Sequence, residues 1–104
     1  MGLIIATINK QYLIAYRNEL EYKVSLIRQA KLGLSSSVDD LLDAGKGLEP
    51  DSPAMKQLEQ RKERLNLLEK KLDMQLEEYQ TKLKMIEANI SGCDEMISSS
   101  ISRK

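Results

Sequence analysis

Apolar residues in the second half of the chain recur in alternating steps of four and three: Leu72, Leu76, Tyr79, Leu83, Ile86, Ile90, Cys93 and Ile97. The residues between them are mostly polar, among them Asp73, Gln75, Glu77, Glu78, Gln80, Lys82, Lys84, Glu87 and Asn89. That is the a/d pattern of a helix that buries one narrow stripe against another helix. Leu58 and Leu65 carry the stripe backwards, with Lys62 and Glu69 interrupting its companion row. The spacing predicts a helix over 54–100 and a frayed tail over 101–104.

A second, weaker seam runs through the first half. Leu13, Leu20, Ile27, Leu34 and Leu41 recur every seven residues. Val24 and Val38 fill two companion positions, and Arg17 and Lys31 occupy others. A helix over 3–44 follows. The run Gly33-Leu34-Ser35-Ser36-Ser37 is poor in helix formers, but the seam keeps its phase through it, so the helix reads as continuous. Glu19–Lys23 and Glu78–Lys82 are favourably oriented pairs one turn apart, which support their helices by a few tenths of a kcal/mol each.

Between the helices lies the one strong break, over 45–53, containing Gly45, Gly47, Pro50 and Pro53. Gly45 is placed to take the left-handed conformation that ends a helix. Ser52 is placed to cap the next one, with Pro53 in the first turn, where a missing N–H costs nothing. Nine residues make a helix–helix connector rather than a domain linker. The expected fold is therefore all-α: one domain over 1–104, in which two long helices form an antiparallel coiled-coil hairpin. Folding about residue 49 sets Leu41 near Leu58, Ile27 near Leu72, Tyr12 near Ile86 and Ala6 near Gly92.

One antiparallel pair buries one stripe per helix, and this chain has apolar residues to spare. Leu3, Ile4, Ile5 and Ile8 cover nearly all sides of the first two turns. Tyr22, Leu26 and Leu42 lie off the first seam, and Leu67, Met74, Met85 and Met96 lie off the second. Each large aliphatic side chain gains roughly 1.5–3 kcal/mol on burial, so several left in water favour association. Leu3, Ile4, Ile5, Ile8 and Tyr12 are the expected self-association residues.

Composition narrows the function classes. Sixteen basic and sixteen acidic residues cancel, whereas a nucleic-acid binder normally carries a basic excess. The absence of His removes the commonest general base and metal ligand. A lone Cys93 makes neither an internal disulfide nor a Cys-rich metal site. On the seam it reads as a small buried apolar residue. Asp39, Asp40 and Asp43 could suggest acid–base or metal chemistry, but nothing converges with them, and a solvated helix face explains them. The cluster Arg61-Lys62-Glu63-Arg64 is diluted by neighbouring Glu59 and Glu69. Gly45-Lys46-Gly47 carries no phosphate-loop signal. Tyr12, Tyr16, Tyr22 and Tyr79 read as amphipathic packing groups with wet hydroxyls. No enzyme motif, cofactor site or metal site is expected. Nor is a membrane span, since no apolar run approaches the ~20 residues it needs. Lys10 follows the first apolar run, where a cleaved secretory signal would have positive charge before it. The chain is expected in the cytoplasm, or exported without a cleaved signal, from a bacterial source.

Pro50-Asp51-Ser52-Pro53-Ala54, opening a long helix in a small two-helix chain, resembles the P-x-x-P turn of type III secretion needle subunits. The likeness covers five residues and the helix–turn–helix plan. It implies a subunit that polymerises into a hollow helical tube, with its turn exposed at one end and its helix termini buried between copies. The apolar run Leu3–Ile8 would suit that role. The expected function is a structural, self-assembling hairpin of a filament or tube, of a secretion or surface apparatus, with itself as partner. The competing expectation is a coiled-coil adaptor, stalk or chaperone that binds another helical protein.

Overall fold

The protein is described from a computed structural model, which covers residues 2–102. Among the described residues there are two helices and no strand: α1 (Gly2–Gly45) and α2 (Pro53–Ser102). The two pair antiparallel, as the twin seams require. Helix α1 is unbroken through Gly33–Ser37, where the Ser37 hydroxyl donates back to the Gly33 carbonyl at 3.0 Å. Helix α2 continues through Ile101 and Ser102. These two belong to the stretch expected to fray. Its last two residues, 103 and 104, lie outside the described residues.

Every predicted seam residue is buried or half-buried. The buried and half-buried positions of α1 include 6, 10, 13, 17, 20, 24, 27, 31, 34, 38, 41 and 45, and those of α2 include 58, 62, 65, 69, 72, 76, 79, 83, 86, 90, 93, 97 and 100, with flanking residues such as Ile14, Tyr16 and Lys82 also half-buried. Both series keep steps of three and four without a slip, the signature of a coiled-coil seam.

The chain divides into two units. The first comprises Met1–Ser25 and Glu77–Lys104. Its core is Leu20 with Ile86 and Ile90, with Leu13, Ile14, Tyr16, Tyr79 and Leu83 packed around it. Ala6, Val24 and Cys93 are buried in the same unit. The amines of Lys23 and Lys82 lie 5.9 and 5.8 Å from the centre of the Tyr79 ring, within cation–π range. Their charges are shared with Glu19 at 3.4 Å and Glu78 at 3.3 Å.

The second unit comprises Leu26–Leu76 and contains the connector. Here Ile27 is buried. Ser52 caps α2 and ties its start back to the connector. Its hydroxyl accepts from the Met55 N–H at 3.1 Å and donates to the Glu49 carbonyl at 2.9 Å. Pro53 follows as the first helical residue. The left-handed residue is Gly47, at φ 87°, and not Gly45. Gly45 remains helical, and its carbonyl accepts from the Leu48 N–H at 3.2 Å, so the reversal comes two residues later.

The pairing register also differs from the expectation. Lys10 pairs with Asp94 in the first unit and Lys31 with Asp73 in the second. In both pairs the residue numbers add to 104, where folding about residue 49 required about 98. A Cβ on Gly45 would lie 3.5 Å from Leu58 Cδ2, so Leu58 lies against the last residue of α1. The cause is the connector, which leaves the first turn of α2 standing past the end of α1. Counting inward from the loop's midpoint assumes that both helices stop level. The shift removes the expected Ala6–Gly92 contact, and a Cβ on Gly92 would meet nothing within 4 Å. It also removes Tyr12 from Ile86, since Tyr12 is exposed.

Leu20 is 2% exposed, so Leu20→Ala should cost about 2–5 kcal/mol in urea unfolding. Half-buried Leu83→Ala should cost distinctly less, and equal losses would mean that the core is not centred on Leu20. Gly47→Ala should destabilise by about 1–2 kcal/mol because of its left-handed backbone. Gly33→Ala, in exposed helix with no neighbour within 4 Å, should stabilise by roughly 0.5–1 kcal/mol.

Candidate functional site

The part of the surface least explained by hairpin folding is the free face of α1. From Gly2 to Asn18 the only charged residues are Lys10 and Arg17, and both sit on the seam, half-buried. The exposed residues of the same stretch are Gly2, Ile4, Ile5, Ile8, Asn9, Gln11, Tyr12, Ala15 and Asn18. The usual arrangement of a surface helix, with apolar residues inward and charges outward, is reversed here. Ile4 is 66% exposed, Ile5 54%, Ile8 59% and Tyr12 71%.

Packing explains the reversal locally. Lys10 reaches across the seam to Asp94. Arg17 has its Nε shielded and without a hydrogen bond, the nearest carboxylate being Glu21 at 4.0 Å. Each occupies a position that the heptad phase assigns to the interior. The isoleucines fall outside because the phase set by Ala6, Leu13 and Leu20 leaves them no inward place. Tyr12 lies against Tyr16, with ring centres 6.5 Å apart and planes within 5°. Tyr16 in turn rests on the Leu20–Ile86–Ile90 core. The exposed ring thus has Tyr16 as its neighbour on one side.

Of the residues expected to drive self-association, Ile4, Ile5, Ile8 and Tyr12 share this exposed face. Leu3 does not: it is half-buried toward the seam. Sequence reading missed that Ala15 and Tyr22 continue the same stripe. Positions 5, 8, 12, 15 and 22 fall on one repeat of three and four, with Glu19 as its single interruption. The signal was in the sequence as a second heptad phase, and reading one seam per helix hides it.

The second unit has its own exposed apolar residues, with Leu32, Leu67 and Met74 each more than half exposed. It also holds an open groove of about 530 Å³ lined by Ser37, Asp40, Leu41, Ala44, Arg61, Arg64 and Leu65. The groove mixes Asp40 with two arginines, so it presents no single charge. Asp39 is exposed, and Asp43 pairs with Lys46 at 3.2 Å. Among the described residues no group of three or more acidic or cysteine side chains is placed to hold a metal ion. Cys93 is a buried free thiol. No helix among the described residues is long and apolar enough to cross a membrane. Of the predicted turn residues, Pro50 and Pro53 are exposed and Ser52 is half-buried.

Comparison with protein families, with curated proteins and with solved structures finds no match to this chain.

Proposed function

We propose that this chain is a structural, self-assembling helical hairpin, a subunit of a filament or tube such as a secretion or surface apparatus builds. One observation carries the reading: the outer face of α1 from Gly2 to Asn18 has four large exposed apolar side chains and no charge. A solvated face would normally carry charges, and the rest of this chain supplies them freely. In the second unit Leu32 on α1 and Leu67 and Met74 on α2 are each more than half exposed, apolar area from which a further contact could be drawn. Two different contacts per subunit are what an assembly needs to grow past a closed dimer. The turn resemblance to type III secretion needle subunits points the same way. A second reading, an adaptor or stalk for another helical protein, uses the same face. It differs in that the purified chain then stays monomeric until its partner is added.

Light scattering against concentration, with negative-stain microscopy of the same samples, should show growth into regular rods or tubes. Ile5→Asp should keep the helical circular dichroism and abolish that growth. A chain that stays monomeric at high concentration, or a variant that grows as well as the parent, would overturn the proposal.

A further inference from the structure

We infer that the free face of α1 pairs with the same face of a second copy, antiparallel, about a two-fold axis near residue 10, so that Ile8 of each copy packs on Tyr12 of the other. This rests on the assembly reading above and specifies its first contact.

The spacing selects the kind of occupant. Ile5, Ile8, Tyr12 and Ala15 follow steps of three and four, which presents a seam to a helix. A helix that lies on a lipid surface carries Lys or Arg along the flanks of its apolar face. Here the two cations of the stretch are turned into the hairpin seam instead. Flanking the stripe are Asn9, Gln11 and Asn18, which are uncharged. A charged partner helix would find nothing to complement, whereas a second copy brings no like charge to repel.

The layout of side-chain sizes selects the orientation. The exposed face of α1 carries no charge from Gly2 to Asn18, a span centred on residue 10. In antiparallel pairing, one row of the heptad faces the other row. The pairing in which residue numbers add to 20 sets Ile5 against Ala15 and Ile8 against Tyr12. Large residues then face smaller ones, and Glu19 falls outside the contact. A pairing one heptad along would set Glu19 against Ile8 and desolvate a carboxylate. Parallel pairing would stack Tyr12 on Tyr12 and Ala15 on Ala15, a bulge followed by a gap.

The area is sufficient. An aromatic side chain offers about 150–250 Å² and an isoleucine somewhat less, so Ile4, Ile5, Ile8 and Tyr12 at their observed exposures present on the order of 500 Å² per copy. A two-fold pair that covered these side chains completely would remove on the order of 1,000 Å² of surface, which reaches the lower bound for a specific interface.

Across such an axis the two Gln11 side chains flank the seam on the same side and approach each other. Gln11 is exposed, so Gln11→Cys leaves the hairpin intact, and Cys93→Ala removes the native thiol. In that double variant a mild oxidant should produce a disulfide-linked dimer on a non-reducing gel. Ile8→Cys in the same Cys93→Ala background should produce little, because Ile8 meets Tyr12 and not itself. Adding Ile8→Asp to the Gln11→Cys variant should abolish the linked dimer, and Ile8→Asp in the native chain should weaken dimerisation by at least about tenfold. Assembly in light scattering without a Gln11 link, or with a strong Ile8 self-link, overturns the antiparallel pairing and leaves the assembly reading standing. No association at any concentration overturns both.

Discussion

Everything in this molecule depends on one narrow contact, the paired seam. Two helices can bury only the stripe that each turns to the other, and no third layer covers what remains. Among the described residues the buried side chains are accordingly few: Ala6, Leu20, Val24, Ile27, Ile86, Ile90 and Cys93. All are small or aliphatic, in keeping with a chain that has neither Phe nor Trp. Any large apolar residue off that line is on the surface by geometry. The exposed isoleucines and methionines are therefore a direct consequence of the architecture, and only an assembly can shield them.

A seam of leucines alone would tolerate sliding by a heptad. What distinguishes the observed register is its polar interruptions. Lys10 and Lys31 sit on the seam of α1 and pair with Asp94 and Asp73 on the flank of α2. By the same arithmetic the position opposite Arg17 is Glu87. All three cations thus have an acidic residue at the number that completes 104. Sliding by seven residues one way puts Lys31 against Asn66 and Arg17 against Gln80, with only Lys10 meeting an acid, Glu87. Sliding the other way puts Lys10 against Ile101 and Lys31 against Gln80, with only Arg17 meeting an acid, Asp94. Only the two lysines form the pair, and each of these partly exposed pairs adds under about 1 kcal/mol to stability. Their larger effect is to raise the cost of the wrong registers, in which a half-buried cation loses its partner.

The helices and the hairpin were legible because hydrophobic period is a local property, and both seams keep phase over their whole length. Ser52 and Pro53 were legible for the same reason, since a cap is decided within four residues. The register was not. It depends on how the connector rises before α2 turns back, and residues 45–53 contain two candidate glycines, of which Gly47 takes the left-handed backbone. The interaction face was half legible. Ile4, Ile5, Ile8 and Tyr12 stood out as surplus, but Leu3 looks no different from them in sequence, and only the seam phase set by Ala6 turns it inward.

On the proposed assembly, that inverted stretch would link folding to association. A helix shaped for the hairpin alone would exchange Lys10 and Arg17 with two of its isoleucines, placing the charges in water and the apolar groups in the seam. The chain instead keeps a guanidinium whose Nε is shielded and without a hydrogen bond, and it leaves several isoleucines in solvent. Both features weaken the isolated pair of helices over this segment. In the proposed assembly both would be offset, because the apolar gain would come only once the free face is covered. Stability of the first unit should then rise with protein concentration, as it does whenever the native form has a binding partner that the unfolded form lacks. The seam keeps a single chain folded, and its placement of Lys10 and Arg17 leaves the opposite face uncharged and open to a second copy.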